Sequence, residues 1–444
     1  MSGTAQKNPQ SPWQAVRAAF SGSFIEWYDF YLFGTAAGLI FPVIFFPGDD
    51  PTVSTIESFG AFAAGFLTRP LGALLFGHFG DRIGRKPMLM ITVVLIGGAT
   101  AVIGLLPGHD AIGPWAAGLL ITMRLLQGIG IGGEFGGGTL LALESAPTGR
   151  RGFMASFHQM GTPAGLLVSS GIIALITLLP DDQLYSWGWR IPFLLSGAFV
   201  VVALILRSRV PETGAFRQNT VVARVPVLTL LRFGWKNLLL GIGARMADAV
   251  TFNVINVFAI SFATVHLGLD RQMILTGFVI AAAVEFALLP LIGHISDRIG
   301  RRPVYLFGVM FCGIGGLLYF PVLSTQSTLF VWLAIVLMVA VGTGCMFGIQ
   351  GAFFAEMFDT PTRYTGLGVV YQGSALLGGA PTPAIALSLA AAFGFSYWPP
   401  ALYLTGICVV SAVCVLMAKE THLDDLIDSN DSPTREPLSV QEGH

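Results

Sequence analysis

The stretch Gly77-His78-Phe79-Gly80-Asp81-Arg82-Ile83-Gly84-Arg85-Lys86-Pro87 decides how this chain folds. It recurs 216 positions later, at residues 293–303, as Gly-His-Ile-Ser-Asp-Arg-Ile-Gly-Arg-Arg-Pro, and eight of the eleven residues are identical. Both copies are polar and basic, and each separates two long apolar runs. A polar turn that returns at the same place in two hydrophobic halves indicates an internal duplication.

The composition is that of a membrane protein. Of the 444 residues, 54% are hydrophobic and only 11% are charged, whereas a soluble domain carries roughly 25% charged residues. The net charge of −1 gives no basic excess for binding nucleic acid. The four cysteines lie in apolar runs, which argues against a disulfide framework. We find no catalytic or metal-ligating constellation and no phosphate-binding loop, so we expect neither an enzyme nor a cofactor.

Apolar runs of about 20 residues are long enough to cross a bilayer as helices. The sequence contains twelve of them, which predicts an all-α membrane protein with twelve transmembrane helices. The predicted spans are about 18–46, 55–79, 88–106, 115–143, 153–179, 190–206, 237–264, 272–295, 303–323, 328–354, 364–392 and 398–418. The fourth span holds seven glycines between Gly128 and Gly138, which predicts close packing against a neighbouring helix.

The distribution of basic residues predicts the orientation. If both termini are cytoplasmic, 19 of the 24 lysines and arginines fall in the termini or in connections on that side. Arg190 and Arg271 fall on the outer side, and Arg69, Arg124 and Arg245 fall within spans. This asymmetry follows the positive-inside rule. We therefore expect a multi-pass protein of a bacterial inner (plasma) membrane with both termini in the cytoplasm.

The duplication extends beyond the opening motif and divides the chain. The run that begins at Glu144 and ends at Arg151 is echoed 212 positions later by the run from Glu356 to Arg363. Two parallel repeats of six helices are an architecture of secondary transporters. The predicted segments are a cytoplasmic N-terminus at 1–17, a six-helix half at 18–206, a cytoplasmic central loop at 207–236, a second six-helix half at 237–418 and a cytoplasmic tail at 419–444.

Several of these stretches resemble a known family. The paired loops at 77–86 and 293–302 resemble the signature of the major facilitator superfamily, and Arg124-Leu-Leu-Gln127-Gly128 resembles its fourth-helix signature. Further stretches are similar to its metabolite:proton symporter branch, which includes carriers for α-ketoglutarate, citrate, shikimate and proline or betaine. These stretches are Phe24-Ile-Glu26-Trp-Tyr-Asp29-Phe30, Thr68-Arg69-Pro70-Leu-Gly72, Gly132-Gly-Glu134 and Trp189-Arg190-Ile-Pro192-Phe193. The resemblance implies the twelve-helix major facilitator fold.

The charged residues inside the spans point to a site. An isolated arginine at the centre of a bilayer costs about 2.5–3.5 kcal/mol on insertion scales. Arg69, Arg124 and Arg245 are therefore expected to face acids or a water-filled cavity. In the repeat alignment Arg69 corresponds to Glu285, and Glu26 corresponds to Arg245, so equivalent sites of the two halves carry opposite charges.

We assign these residues to a central cavity in which arginine binds a substrate carboxylate through two parallel hydrogen bonds. The substrate-binding candidates are Arg69, Arg124, Arg245, Gln159, Asn253, Asn256, Tyr371 and Gln372. The proton-coupling candidates are Glu26, Asp29, Glu134, Asp248 and Glu285. Five acids and three bases leave two excess negative charges, so at least one acid should be protonated in some state. The alternative is that some of these charges form permanent ion pairs between helices.

The opening motif is assigned to a cytoplasmic gate rather than to the site of binding. Asp81 lies near the inner end of the second span, where it could contact a helix N-terminus in the other half. Such a contact would keep the cytoplasmic side closed while the cavity opens outwards; the alternative is a basic anchor alone. The gate candidates are Gly77, Asp81, Arg82, Gly84, Arg85, Lys86, Asp297, Arg298, Arg301 and Arg302.

The sequence thus predicts a monomeric, proton-coupled symporter that takes up a small organic acid or zwitterionic metabolite by alternating access. Its partners would be the lipid bilayer, protons and the small-molecule substrate. A proline/betaine-type osmolyte carrier or a sugar:proton symporter is the alternative within transport. A drug/proton exporter fits less well, because arginines within the membrane disfavour cationic drugs. A channel or another non-transport membrane protein has no supporting motif.

Overall fold

The computed structural model describes residues 11–212 and 226–422, and over these ranges it contains helices and no strand. The predicted all-α membrane fold is confirmed. The twelve long helices of the described ranges are α1 Pro12–Leu39, α2 Pro51–Arg82, α3 Arg85–Ile103, α4 Trp115–Glu144, α5 Arg151–Ile176, α6 Asp181–Ser208, α7 Trp235–Val265, α8 Arg271–Ile299, α9 Arg301–Ser324, α10 Thr328–Ala355, α11 Arg363–Ala392 and α12 Trp398–Met417. Shorter helices lie at Phe41–Ile44, His109–Ile112 and Pro226–Phe233.

Eleven of the twelve, α2 to α12, are long and apolar enough to cross a membrane by length and composition. The remaining helix, α1, has 28 residues and carries Glu26 and Asp29, which lower its hydropathy. The helix bounds differ from the predicted first span of about 18–46. The helix begins at Pro12, because proline suits the first turn of a helix, and the apolar residues after Leu39 form a separate short helix.

The two motif turns connect α2 to α3 and α8 to α9. Gly84 and Gly300 have φ angles of 123° and 103°, a left-handed conformation that glycine adopts without the strain other residues incur. Each turn therefore reverses the chain within a few residues. Both turns lie at the same end of the helix bundle, which we call the motif end.

Glycines allow α2 and α4 to pack closely, as the sequence predicts. A methyl group on Gly132 of α4 would lie 2.1 Å from the carbonyl oxygen of Arg69, and one on Gly128 would lie 2.1 Å from that of Gly65. A methyl group on Gly72 of α2 would lie 2.0 Å from the carbonyl oxygen of Ile129. This contact fixes the part of α2 that carries Arg69.

The first six helices and the last six meet along pseudo-equivalent pairs: α2 packs against α11, and α5 packs against α8. The predicted cytoplasmic N-terminus, central loop and tail lie partly outside the described residues, at 1–10, 213–225 and 423–444.

Candidate substrate cavity and motif-end contacts

A cavity of about 520 Å³ lies between the two sets of six helices. Residues of α1, α2, α5, α7, α8, α10 and α11 form its walls. Arg69 is 13 residues before Arg82 at the motif end, which corresponds to about 20 Å of helix. From this depth the cavity extends towards the opposite end of the bundle, since its lining on α7 runs from Arg245 to Val257.

The cavity brings together eight of the residues predicted from the sequence. They are Arg69, Arg245, Asp248, Asn253, Asn256, Glu285, Tyr371 and Gln372. The other predicted site residues do not line it. They are Glu26, Asp29, Arg124, Glu134 and Gln159.

Arg69 presents its guanidinium group to the cavity. The group forms no hydrogen bond or ion pair with any described residue, and its Nε atom is buried without a partner there. It lies over the ring of Phe66, 4.2 Å from the centroid, and 5.5 Å from that of Phe30. Aromatic faces stabilise the cation but satisfy none of its N–H donors in the way that an oxygen acceptor would. The donors of Arg69 are therefore available to a ligand.

Two buried carboxylates, those of Glu285 and Glu26, also have no hydrogen-bond or ion-pair partner among the described residues. Glu285 of α8 lines the cavity and is 8% exposed. Glu26 of α1 is 5% exposed and close enough to Arg69 for the two charges to interact. A buried carboxylate without a partner is costly when it is charged. Both groups therefore favour binding a proton or a cation.

Arg245, in contrast, is held by its own half of the molecule. Its Nε donates to Gln350 Oε1 at 3.0 Å, and its Nη1 donates to Ser374 Oγ at 2.7 Å. Its Nη2 is 3.5 Å from Asp248 Oδ2, and the guanidinium lies over the ring of Tyr371 at 3.7 Å. Arg245 and Asp248 thus form an ion pair in the cavity wall. Of the two arginines that line the described cavity, Arg69 is the one with free donors.

Other polar groups of the wall divide into donors and acceptors. Gln372 Nε2 and Thr162 Oγ1 are buried without a partner among the described residues. Asn253 and Asn256 each donate from Nδ2 to a carbonyl four residues earlier, at 2.9 and 3.0 Å. This arrangement leaves their Oδ1 atoms as acceptors for a ligand.

Arg124 and Asp29 lie within the first six helices instead. Arg124 Nη1 donates to Gln127 Oε1 at 3.2 Å, and its guanidinium lies 4.4 Å from the ring centroid of Phe33. Asp29 accepts hydrogen bonds from Thr100 Oγ1 at 2.6 Å and from Ser196 Oγ at 2.9 Å. The structure does not bring the predicted anion-binding Arg124 to the cavity, because the face of α4 that carries it packs against neighbouring helices.

Glu134 forms an ion pair that the sequence analysis missed. Its carboxylate contacts both terminal nitrogens of Arg207, which also donates to the carbonyl oxygen of Leu89. Thr92 Oγ1 donates to Glu134 Oε2 at 2.6 Å. Arg207 and Glu134 are 1% and 0% exposed. Arg207 is at the end of α6, and the sequence analysis placed it in the central loop.

The first motif turn binds the start of α11 in the other half. Asp81 accepts hydrogen bonds from the backbone N–H groups of Tyr364 and Thr365, at 3.1 and 3.0 Å, and from Thr365 Oγ1 at 2.8 Å. Arg85 lies 3.4 Å from Asp81 and donates to the carbonyl oxygen of Thr360 at 3.1 Å. A carboxylate at a helix N-terminus satisfies N–H groups that lack partners within the helix.

The second motif turn repeats this arrangement on the start of α5. Asp297 accepts from the backbone N–H groups of Gly152 and Phe153, both at 2.8 Å. Arg301 lies 2.8 Å from Asp297 and 3.3 Å from Glu356. Burial raises the pKa of the Glu356 carboxyl, although Arg301 opposes this shift. Each half therefore holds a helix start of the other half at the motif end.

Two further acids hold the helix starts that follow the turns. The backbone N–H of Lys86 donates to Glu212 Oε2 at 3.1 Å. Those of Arg301 and Arg302 donate to Glu420, both at 2.9 Å. Burial opposes the charge of Glu420, but these N–H donors lower its pKa below the ordinary value.

The remaining gate candidates form no ion pair across the two halves among the described residues. Arg82 is exposed and contacts His78 at 3.2 Å, and Arg298 is exposed. Gly77 allows the close approach of the other half, since a methyl group there would lie 2.8 Å from the Cα of Thr365.

Sequence reasoning missed one cross-half ion pair at the motif end. Glu144 lies 3.2 Å from Arg363 and 3.6 Å from Arg85. The repeat of the 144–151 run at 356–363 was the available signal, because it places an acid and a base at equivalent ends of both halves.

Two family models of membrane transporters match this chain. A family model described as "Sugar (and other) transporter" matches residues 15–224, and one described as "Major Facilitator Superfamily" matches residues 238–439. The helical bundle, its cavity and these matches define a multi-pass membrane transporter. The chain belongs to the major facilitator superfamily.

Named relatives are transporters and not enzymes. The shikimate transporter of Escherichia coli (strain K12) is 38% identical and is aligned over 92% of this chain and 94% of its own length. The proline/betaine transporter of the same organism is 33% identical over 92% and 83%. Among solved structures, the proton:xylose symporter XylE bound to 6-bromo-6-deoxy-D-glucose has a TM-score of 0.76 and 17% identity over 92% and 96%. This structural similarity shows that the chain has the major facilitator fold.

Proposed function

We propose that this protein is a proton-coupled symporter that takes up a small carboxylate or zwitterion by alternating access. The observation that carries the proposal is the free guanidinium group of Arg69 in a cavity of about 520 Å³ between the two halves. A free arginine fork in a partly desolvated site suits the planar, bidentate geometry of a carboxylate. The proposed substrate therefore binds through its carboxylate to Arg69.

The cavity offers further groups for such a ligand. Gln372 Nε2 and Thr162 Oγ1 add donors, and Asn253 and Asn256 add acceptors. These groups suit a compact acid that also carries hydroxyl or ammonium groups. Shikimate and proline, which appear in the names of relatives, are both of this kind. This agreement supports the substrate class.

A second candidate substrate is a quaternary ammonium zwitterion such as betaine. Trp27, Phe30, Tyr31 and Phe66 line the cavity, and aromatic faces attract quaternary ammonium groups. Betaine would occupy the aromatic wall and Arg69 together but would leave the asparagine oxygens without donors. Its uptake should therefore be weaker than that of a hydroxylated acid.

Uptake into proteoliposomes tests the proposal. The panel contains shikimate, proline, betaine, α-ketoglutarate, citrate and xylose, each with and without an inward proton gradient. We expect saturable uptake of at least one acid or zwitterion that the gradient stimulates. Transport of xylose alone, independent of the gradient, would refute the proposed substrate class and coupling.

Proton coupling is assigned to the unpartnered acids. Two arginines and two acids line the cavity, and Glu26 interacts with Arg69 beside it. This group of five has one excess negative charge when all are ionised. A bound carboxylate adds another negative charge, so the site favours taking up a proton together with the anion. Glu285 is the principal candidate, because it lines the cavity without an arginine partner, whereas Glu26 interacts with Arg69.

Replacing Glu285 with glutamine is expected to remove accumulation but preserve exchange. A pH difference of one unit is worth about 1.4 kcal/mol per proton, or about tenfold accumulation of substrate. In proteoliposomes with such a gradient, E285Q should accumulate substrate to about the external level, because glutamine cannot release a proton. Exchange of labelled for unlabelled substrate needs no net proton transfer and should continue.

The E26Q variant is the matched comparison for this measurement. If E26Q loses accumulation and E285Q retains it, the proton-coupling role belongs to Glu26. Normal accumulation in both variants would contradict coupling at either acid.

Alternating access is proposed to occur by movement of residues 18–206 against residues 237–418. We place the motif end in the cytoplasm on the evidence of the basic residues there. Asp81 and Asp297 would then hold the cytoplasmic side closed, while the cavity is open towards the outside. Opening inwards would break both sets of contacts.

Replacing Asp81 with asparagine is expected to open the motif end more often. Asp81 accepts three hydrogen bonds from the other half, and hydrogen bonds to a charged group contribute about 1.5–3 kcal/mol each. The reporter is a cysteine introduced at Ser156, a buried residue packed against Gly293 of the other half. In inside-out vesicles an impermeant maleimide should label it at least about tenfold faster in the D81N variant.

The exposed Asp49 at the opposite end provides the matched control, D49N, which should label like the parent. Native cysteine labelling is subtracted with a chain that lacks the introduced cysteine. An unchanged rate in D81N would show that Asp81 does not hold the motif end closed.

A further inference from the structure

A group of buried polar side chains lies between the cavity and the motif end. The side-chain Nε2 of Gln159 and Oγ1 of Thr139 have no hydrogen-bond partner among the described residues, and neither does Nε2 of Gln350. The exposed fractions of the three residues are 2%, 0% and 0%. Buried donors are nearly always paired in native proteins, so three unpaired ones in one region need an explanation.

Their positions along the helices place them one turn beyond the cavity. On α5 the lining residue nearest the motif end is Thr162, and Gln159 is three residues further towards that end. On α10 the corresponding pair is Phe347 and Gln350. Three residues correspond to nearly one helical turn, or about 4.5 Å. The donors therefore follow the cavity in the direction of the motif end.

One aromatic pair connects the cavity wall to α4. Tyr371 lines the cavity and stacks on Phe135 of α4 with ring centroids 3.7 Å apart. Thr139 is four residues after Phe135 on the same helix, which places it on the motif side of the stacked pair. Gln350 contacts the cavity wall, because its Oε1 accepts a hydrogen bond from Nε of the cavity residue Arg245 at 3.0 Å.

The two halves touch at this level through Gly351. A methyl group on Gly351 of α10 would lie 2.7 Å from Thr139 Cγ2 and 3.2 Å from Gln159 Nε2. Thr139 and Gln159 belong to the first six helices and Gly351 to the last six, so separation of the halves would uncover both donors. In the closed state, the absence of a side chain on Gly351 permits the contact.

We propose that Thr139 and Gln159, both on the first six helices, form a second binding position for the carboxylate of the substrate, used when the motif end is open. The Gln159 Nε2 and Thr139 Oγ1 groups can both donate a hydrogen bond, and such donors suit the oxygens of a carboxylate. The carboxylate would leave Arg69, pass the Phe135–Tyr371 pair and bind these donors before release. This inference rests on the proposed function, since it requires a carboxylate substrate and opening at the motif end.

The experiment measures binding from each side separately. In inside-out vesicles, the best-transported member of the uptake panel protects the Ser156→Cys reporter from maleimide, and the half-protecting concentration is measured. In right-side-out vesicles, the KM for uptake is measured. For Gln159→Leu and for Thr139→Val we expect the half-protecting concentration to rise about tenfold, as for loss of a hydrogen bond to a charged group. The KM for uptake should change by less than about twofold, because neither residue lines the cavity.

Matched variants separate this role from general disturbance. Thr139→Ser keeps the hydroxyl group and should behave like the parent, and so should Gln272→Leu at an exposed position of α8. An equal rise of both constants in Gln159→Leu would place Gln159 in the main cavity and overturn the second position. Unchanged protection in both Gln159→Leu and Thr139→Val would also overturn it. Failure of the proposed function itself differs from both, because no panel member would then be taken up or protect the parent protein.

Discussion

Replacing Arg69 with glutamine is expected to reduce substrate uptake at least about 30-fold at unchanged expression. Removing one partner of a buried, hydrogen-bonded charge pair costs about 2–5 kcal/mol, and each 1.4 kcal/mol is about tenfold in affinity. No other arginine can replace it from its observed position. Arg245 is bound to Gln350, Ser374 and Asp248, and Arg124 does not line the cavity. Initial uptake rates in proteoliposomes measure the effect.

Two companion variants make this result specific. R69K keeps the positive charge but lacks the planar guanidinium group that forms two parallel hydrogen bonds. Its uptake should therefore lie between that of R69Q and that of the parent protein. R232Q changes an exposed arginine outside the cavity and should transport normally. Near-normal uptake by R69Q would exclude Arg69 as the carboxylate-binding residue.

Replacing Arg207 with methionine is expected to lower the free energy of unfolding by about 3–5 kcal/mol. The change leaves the Glu134 carboxylate, 0% exposed, with Thr92 as its remaining hydrogen-bond donor. It also removes the donor to the carbonyl oxygen of Leu89. The apparent melting temperature in detergent should therefore fall clearly below that of the parent protein.

The double variant R207M/E134Q tests the cause. An uncharged pair of similar size removes the unpaired charge, so it should recover much of the lost stability. If the double variant is no more stable than R207M, packing of the arginine stem rather than the charge explains the loss. A melting temperature of R207M equal to that of the parent would show that the pair contributes nothing to stability.

The fold could be predicted from the sequence, whereas the partners of individual charges could not. The apolar runs and the repeat predict the number and arrangement of the helices, because both patterns involve many residues. Arg69 and Arg124 look alike in sequence, each being an arginine in an apolar span. Helical periodicity places Arg124 and Gln127 on one face of α4 but does not say which neighbour that face meets. In the structure it meets Phe33 and Phe62 of the same half.

The motif-end contacts show a different limit. An aspartate inside a basic turn indicates that Asp81 has a partner, and the repeat indicates the same for Asp297. The partners are backbone N–H groups of Tyr364, Thr365 and Gly152 among others. Because every non-proline residue has such a group, no sequence pattern marks them. The tight approach of the helices that carry them depends on glycines whose role is visible only in three dimensions.

The contrast between the two cavity arginines has a consequence for the path of the cargo. Arg245 is anchored to α10 and α11, so it belongs to the frame of its half. Arg69 has donors to spare and is carried by α2, which close glycine contacts tie to α4. A substrate carboxylate bound to Arg69 would keep its position relative to the first six helices. The cavity wall formed by the last six helices would move relative to it. The contact between the substrate carboxylate and Arg69 would then persist while the two halves move. Only the contacts on the other side of the ligand would change.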